Sequence, residues 1–302
     1  MNRESLKTFR VGVLMGGNSS EREISLKSGA AVLQSLKRSG YKAVGVDVGR
    51  DLAGRLRRQR IDVAFIALHG RWGEDGTVQG LLEIMGIPYT GPGVLGSSMA
   101  MDKAVMKIVF DGVGIPTPAY AVAEEGKDVA FPLPFVVKPA NEGSTIGISI
   151  VRKNEEIAPA IADARKYDKK VIVEGYVEGD EITVGIVNGE TLPVVQVKPV
   201  NGFYDFEAKY TKGMTEYIVP AEITEAVAER SSHIALKVYH AFDLSGCVRI
   251  DMLVKEDVPL VIDINTSPGM TETSLVPKAW EHLNRSFDDL VETILTGASL
   301  KI

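Results

Sequence analysis

The chain has 302 residues, more than one compact domain usually contains, so its length favours two or three domains. Its 45% hydrophobic and 25% charged residues are typical of a globular protein, and its net charge of −6 argues against nucleic acid or an anionic membrane as the main partner. The single cysteine, Cys247, excludes an internal disulfide and a cysteine-rich metal site. No apolar run reaches the roughly 18 residues of a membrane helix, and the N-terminus has no apolar signal segment, so we expect a cytoplasmic protein.

The first 96 residues alternate between apolar strands and helices, a pattern that predicts a parallel sheet with right-handed crossovers. The predicted strands lie at 9–17, 41–48 and 61–70. Ligands bind such sheets beyond the carboxyl ends of the strands. Glu21 follows the first strand and His69 follows the third, so we expect both to face one crevice. For His69 the alternative is a purely structural hydrogen bond.

A boundary is predicted near residues 91–98, which are rich in glycine, serine and proline. A smaller α+β unit is expected over 97–178 and a third unit over 179–302, so the fold class is α/β followed by α+β. The third unit opens with a hairpin that turns at Asn188 and Gly189. The polar and aromatic stretch 200–213 is too long for a mere connection.

The last two predicted strands form a hairpin that brings acids together. If the hairpin is centred on Asp257, paired residue numbers sum to 514, so Asp251 lies opposite Asp263 and Arg249 opposite Asn265 on one face. The other face is expected to carry Ile250, Met252, Ile262 and Ile264. Opposed carboxylates repel, so either a proton or a cation is needed between them. Two carboxylates and an amide oxygen suit Mg²⁺ or Mn²⁺ better than zinc, and a solvated sheet face with mixed charges is the alternative.

Magnesium with few protein ligands is usually bound to phosphates as well, and several segments suit phosphate binding. The P-loop and dinucleotide-binding motifs are absent from the sequence. The small-residue loop 141–147, which contains Ser144 and Thr145, either covers phosphates with backbone N–H groups or is an ordinary hairpin loop. Lys138 ends the strand before this loop and either reaches phosphate or is an edge residue whose ammonium extends into solvent. Lys103, at the start of a helix, either reaches phosphate or is a plain surface lysine.

Two acids near the predicted junction of the second and third units suit a nucleoside. Glu174 ends an apolar strand, where a carboxylate can accept from an adenine amino group, and Glu181 can accept from ribose hydroxyls. Each acid is a weak signal by itself. The glycine-containing turn 266–269 at the end of the last strand offers backbone N–H groups to an anion.

Seven segments stand out together, in this order along the chain: GGNSSEREISLKSG, ALHGRWGEDGTVQG, YTGPGVLGSSMAMDK, VVKPANEGSTIG, FYDFEAKY, RIDML and INTSPGMTETSLVP. With these segments the chain resembles the D-alanine–D-alanine ligase family of the ATP-grasp superfamily. The resemblance implies a three-domain ATP-grasp fold with a Rossmann-like N-terminal domain, and ATP bound between the second and third domains. It also implies a homodimer that joins two D-alanines through a D-alanyl phosphate for peptidoglycan precursor synthesis.

The resemblance implies a role for each matching residue. The expected ATP contacts are Lys103, Lys138, Ser144, Thr145, Glu174, Val177 and Glu181. The expected ligands of Mg²⁺ or Mn²⁺, two ions in the family, are Asp251, Asp263 and Asn265. The expected contacts of the D-alanines are Glu21, His69, Lys209, Ser274 and Leu275. The expected oxyanion site is Arg249 with the Gly269 amide, and the expected hydrogen-bonded set that orders the loops is Glu21, Ser144 and Tyr210.

Two departures from the family pattern bear on these roles. Asp263 stands where the family usually has glutamate, which puts the bridging of two metal ions in doubt, and Gly175 stands where many relatives have a longer side chain. The rival activity within the family is D-alanine–D-lactate ligation, but its enzymes typically replace the lid tyrosine by phenylalanine, so Tyr210 favours the dipeptide. A nucleotide-binding regulator without catalysis is the third alternative.

Overall fold

The computed structural model describes residues 1–126, 129–143, 146–199, 213–271 and 273–301, and these residues form three β-sheets with helices packed on them. Within these ranges every helix is too short or too polar to cross a membrane. The predicted loop 200–213 falls outside them except for its last residue.

The N-terminal sheet is parallel, as the alternation of strands and helices predicts. Its strands are β1 (Arg10–Gly16), β2 (Lys42–Val48) and β3 (Val63–Ile66), in the order β2-β1-β3. The helices of this part are α1 (Arg3–Thr8), α2 (Arg22–Arg38), α3 (Leu52–Gln59), α4 (Thr77–Met85) and α5 (Val94–Met101). The hydrophobic pattern gives no sign of α1, which Asn2 caps by accepting from the Ser5 N–H at 2.8 Å and which buries Leu6.

The central sheet is antiparallel and small. Its strands are β4 (Tyr120–Val122), β5 (Phe135–Pro139), β6 (Ser149–Val151) and β7 (Val171–Gly175), in the order β4-β7-β5-β6. Helices α6 (Lys103–Val113) and α7 (Ile157–Ala164) belong to this part. Phe135, Val137 and Val173 form its core, which leaves Lys138 and Glu174 on the opposite face of neighbouring strands.

The C-terminal sheet is antiparallel and carries the hairpin of interest. Its strands are β8 (Asp180–Val187), β9 (Glu190–Thr191), β10 (Val195–Pro199), β11 (Thr215–Ile218), β12 (Cys247–Lys255) and β13 (Val258–Asn265). Its helices are α8 (Glu225–Ala241), α9 (Leu275–His282) and α10 (Phe287–Thr296). The predicted turn is present and joins β8 to β9. Asn188 and Gly189 both have positive φ, as a tight two-residue hairpin turn requires.

The register of β12 with β13 is the predicted one in the half of the hairpin that is farther from its turn. The pairs there are Arg249 with Asn265, Ile250 with Ile264, and Asp251 with Asp263. A bulge then shifts the register, so that Met252 lies opposite Val261 and Ile262 is the extra residue. The prediction that Ile262 lies on the face opposite Asp263 is wrong: Val261 is in the core and Ile262 lines the same cavity as Asp263.

Two hydrophobic clusters join distant parts of the chain. One contains Val11 of β1 and Trp280 of α9, so the N-terminal sheet and the C-terminal helices share a core. The other contains Phe110 of α6 and Ile250 of β12. These shared cores hold the N-terminal and central parts against the C-terminal sheet, which carries the hairpin.

A close approach of two backbones near Gly246 provides a test of this packing. Gly246 has φ of +69°, and a Cβ there would lie 2.7 Å from the Gly91 nitrogen. Gly40 has φ of +84° and nothing within 4 Å of a Cβ. We expect Gly40→Ala to lose about 1 kcal/mol of unfolding free energy from its left-handed backbone, and Gly246→Ala to lose a further 1–3 kcal/mol, roughly, from the overlap. Denaturant unfolding measures both variants, and equal losses would contradict the packing.

Candidate active site

Two adjoining cavities lie between the three sheets. The first, of about 270 Å³, is lined by residues of the N-terminal loops, the hairpin and the start of α9. The second, of about 550 Å³, lies between the central sheet and the hairpin. Lys103 and Asp263 line both cavities, so a ligand group in one can meet a ligand group in the other at this point.

The first cavity brings together all the described residues predicted for the D-alanines and the oxyanion. They are Glu21, His69, Arg249, Gly269, Ser274 and Leu275. Glu21 precedes α2, His69 follows β3, and Ser274 and Leu275 begin α9. The remaining predicted residues, Ser144, Thr145, Lys209 and Tyr210, lie outside the described residues.

His69 is buried and ties the N-terminal part to the loop that contains Gly269. Its Nε2 lies 3.3 Å from the Ser28 hydroxyl oxygen, which in turn accepts from the Met270 N–H at 3.1 Å. Burial lowers the pKa of the His69 imidazole, which favours the neutral ring near pH 7. The structure therefore gives His69 both a place on the cavity wall and a structural contact, the two alternatives that the sequence left open.

Glu74 connects two loops that are far apart in the sequence. Its Oε2 accepts from the Gly70 N–H at 2.6 Å and its Oε1 from the Ser267 N–H at 3.1 Å. Burial, reinforced by the nearby Glu21 carboxylate, raises the pKa of Glu74 to about 8. The sequence indicates only a turn at this position, because a contact with a residue 193 positions away leaves no local pattern.

The opposed carboxylates of the hairpin each have a cation of the chain beside them. Arg249 donates to Asp251 as a fork, from Nε to Oδ1 and from Nη2 to Oδ2, both at 2.7 Å. The Thr183 hydroxyl also donates to Asp251, at 2.6 Å. Lys103 Nζ lies 3.3 Å from Asp263 Oδ1. The repulsion predicted from the sequence is therefore offset by one arginine and one lysine.

The donor set of the hairpin fits a magnesium ion that is bound together with phosphates. Asp251, Asp263 and Asn265 offer oxygen donors at the end of the hairpin where the two cavities meet. Among the described residues no group of three or more His, Cys, Asp or Glu side chains is close enough to hold a metal alone. Two carboxylates and one amide leave several coordination positions to phosphate and water, the usual arrangement for Mg²⁺.

The second cavity is lined by the described residues predicted for the nucleotide. They are Lys103, Lys138, Glu174, Val177 and Glu181. Lys138 forms a salt bridge with Glu174, and both side chains are almost fully buried. A second lysine, Lys107, contacts Glu174 as well, and nothing in the sequence distinguishes it from other lysines of a helix.

Comparison with known proteins agrees with this geometry. Family models described as D-ala D-ala ligase C-terminus and D-ala D-ala ligase N-terminus match residues 110–296 and 49–92. The D-alanine--D-alanine ligase of Syntrophotalea carbinolica is 50% identical over 304 aligned positions that span 100% of both chains. The chain belongs to the D-alanine–D-alanine ligase family. A second relative in this family, from Geotalea uraniireducens, is 48% identical and is covered to 99%.

Solved structures of the family have the same fold. The crystal structure of D-alanine--D-alanine ligase from Bacillus anthracis matches with a TM-score of 0.86 and 35% identity, covering 96% of this chain and 97% of that one. A structure of the Bacillus anthracis ligase complexed with ATP matches with a TM-score of 0.84 and 33% identity, with the same coverage. The predicted fold class, α/β with an N-terminal parallel sheet, is confirmed.

The raised pKa of Glu74 predicts how stability depends on pH. Because the folded protein keeps a proton that the unfolded chain loses above its ordinary pKa, the wild-type unfolding free energy should fall as pH rises towards 8. Relative to Glu74→Gln, we expect the unfolding free energy to fall by about 3 kcal/mol between roughly pH 5 and pH 8. Thermal unfolding in metal-free buffer measures it. Glu23→Gln, which removes an exposed carboxylate, is the control, and parallel curves for wild type and Glu74→Gln would contradict the prediction.

Proposed function

We propose that the protein joins two D-alanines to D-alanyl-D-alanine at the cost of ATP, and so supplies the dipeptide of peptidoglycan precursors. The meeting of the two cavities at Lys103 and Asp263 carries this proposal, because it lets a nucleotide phosphate reach an amino-acid carboxylate. Relatives that are about half identical over the full chain and named D-alanine--D-alanine ligase support it.

The reaction has two steps. First, a carboxylate oxygen of one D-alanine attacks the γ-phosphorus of ATP, the bond to the β-phosphate oxygen breaks, and D-alanyl phosphate and ADP form. The neutral amine of the second D-alanine then attacks the acyl carbon, a C–N bond forms, the bond from the acyl carbon to the phosphate oxygen breaks, and inorganic phosphate leaves as the nitrogen loses one proton and keeps the other as the amide N–H. Both steps develop negative charge on oxygen, so a site with preorganised cations and N–H donors suits them.

The residues of the first cavity would bind the two amino acids. Glu21 would hold the ammonium group of the first D-alanine, and Arg249 with the Gly269 amide would stabilise the oxyanion of the tetrahedral intermediate. Ser274 and Leu275, at the start of α9, would meet the second D-alanine, for whose carboxylate a helix N-terminus is favourable. His69 and Lys209 would complete this binding, and Ser144 and Tyr210 would order the loops that exclude water.

The residues of the second cavity and the hairpin would bind ATP with Mg²⁺ or Mn²⁺. Lys103, Lys138 and the loop that contains Thr145 would meet phosphates, whereas Glu174, Val177 and Glu181 would meet adenine and ribose. Asp251, Asp263 and Asn265 would hold the metal, which neutralises phosphate charge when bound. Asp263 is shorter than the glutamate usual at this position in the family, so a second ion would depend more on phosphate oxygens and water.

The resemblance to the family also supports a homodimer in the cytoplasm. Size-exclusion chromatography with light scattering tests the oligomeric state. A monomer at micromolar concentration would contradict the dimer and leave the proposed reaction unaffected.

Product analysis tests the proposed reaction directly. With ATP and Mg²⁺, D-alanine should produce ADP and D-alanyl-D-alanine in equal amounts, because each ligation consumes one ATP. When D-lactate competes with D-alanine near neutral pH, the dipeptide should predominate. Predominant D-alanyl-D-lactate would instead make the protein a depsipeptide ligase. A folded protein without D-alanine-dependent ADP release would indicate a nucleotide-binding regulator.

The fork between Arg249 and Asp251 predicts the effect of a conservative change. Arg249→Lys keeps the positive charge but loses the paired N–H donors, so kcat should fall by about tenfold or more while KM for D-alanine changes less. Steady-state kinetics at saturating ATP measures both values. Arg38→Lys is the matched control, since Arg38 forms a similar fork with Asp288 on the protein surface. An unchanged kcat in Arg249→Lys would remove Arg249 from the oxyanion site.

A further inference from the structure

Three buried charged groups form a cluster at the wall of the second cavity. The cluster consists of Glu174 on β7, Lys138 on β5 and Lys107 on α6, and both lysines form salt bridges with the one carboxylate. The side chain of Lys107 is fully buried, and those of Lys138 and Glu174 are 7% and 5% exposed. Two cations around a single buried anion are a costly arrangement, which calls for a functional reason.

Lys107 contacts Glu174 from the side away from the cavity. Lys138 and Glu174 line the second cavity, whereas Lys107 does not. Its other contacts are the Thr117 hydroxyl and the Val261 carbonyl oxygen, the latter at 3.5 Å. Thr117 itself donates to the Val261 carbonyl at 2.7 Å, so this wall is tied to β13. Among the described contacts of Lys107, Glu174 is therefore the cavity-lining group through which Lys107 can act on a ligand.

The two lysines differ in their access to the phosphates of a bound nucleotide. Lys138 lines the cavity beside the loop expected over the phosphates, so a phosphate group competes with Glu174 for its ammonium. Lys107 has no access to phosphate and keeps its contact with Glu174. The lysines outweigh burial and lower the pKa of Glu174, and burial lowers the pKa of Lys107 to about 8, which leaves it mostly protonated at neutral pH.

An ionised carboxylate discriminates between purine bases. It only accepts hydrogen bonds, so it pairs with the amino group on C6 of adenine and repels the carbonyl oxygen at the same position of guanine. A protonated or displaced Glu174 would lose this discrimination, because a carboxylic acid also donates. The charge and orientation of Glu174 therefore decide which nucleotide the cavity accepts.

We propose that Lys107 is a positioning residue that holds Glu174 as an ionised acceptor and thereby selects adenine over guanine nucleotides. The proposal rests on the proposed function, in that it takes the second cavity as the nucleotide site. Lys107 touches neither substrate nor metal ligand among its described contacts.

The first test is Lys107→Met, which keeps the unbranched apolar part of the side chain and removes the ammonium group. The KM for ATP should rise about tenfold, the loss expected for one hydrogen bond to a charged group, while kcat stays within about threefold. The ratio of kcat/KM for ATP to that for GTP should fall by about tenfold. Lys237→Met is the control, because Lys237 donates only to the Gly114 carbonyl on the surface and should leave the ratio unchanged.

The second test uses Glu174→Gln, because the glutamine side chain is uncharged whether or not Lys107 is present. Adding Lys107→Met to Glu174→Gln should not lower the ratio of kcat/KM for ATP to that for GTP any further, because the carboxylate that Lys107 holds is already absent. In this double variant Lys138 is the one charge of the cluster that remains, and Lys138 lines the cavity, where water or phosphate can reach it. The double variant therefore remains informative where Lys107→Met alone does not fold. A further fall of the ratio in the double variant would overturn the proposal.

Calorimetric binding of non-hydrolysable ATP and GTP analogues separates this proposal from the proposed function, because it needs no D-alanine. If wild type makes no dipeptide, the function fails and the binding ratio still tests Lys107. An unchanged binding ratio in Lys107→Met, or an equal loss for both analogues, would show a purely structural role and overturn the proposal.

Discussion

The pairing of β12 with β13 is the constraint on which the rest of the site depends. Its register places two carboxylates opposite each other at the point where the two cavities meet. Such a pair is unfavourable unless positive charge lies beside it, and the chain provides Arg249 for Asp251 and Lys103 for Asp263. The same cations would stabilise the negative charge that develops during phosphoryl and acyl transfer. The groups that offset the repulsion in the folded protein are therefore also suited to the reaction.

Long-range contacts hold this hairpin against the other two parts of the molecule. Glu74 joins the loop after β3 to Ser267, just beyond β13, and the Thr117 hydroxyl joins the central part to β13 through the Val261 carbonyl. The shared hydrophobic clusters keep these contacts aligned. A site assembled from three separate sheets in this way is fixed by packing, which is what precise placement of two amino acids against a phosphate requires.

Much of the fold could be predicted from the sequence, because it depends on the spacing of apolar residues and on turn residues that are close together in the chain. The parallel N-terminal sheet, the turn at Asn188 and the pairing of Asp251 with Asp263 follow from periodicity and turn chemistry. The bulge could not be predicted, since one extra residue leaves the alternation of polar and apolar residues almost intact, and the side predicted for Ile262 is wrong for that reason. The contacts of Glu74 and Lys107 could not be predicted, because Ser267 and Glu174, their partners, lie far from them in the sequence.

A crystal structure with Mn²⁺, a non-hydrolysable ATP analogue and D-alanine tests the charge arrangement most directly, because anomalous scattering locates the metal. We expect Mn²⁺ bound by Asp251, Asp263 and Asn265 together with phosphate oxygens. Lys138 should lie on a phosphate, while Lys107 stays on Glu174. Metal bound away from the hairpin, or adenine bound away from Glu174, would contradict the assignment of the two cavities.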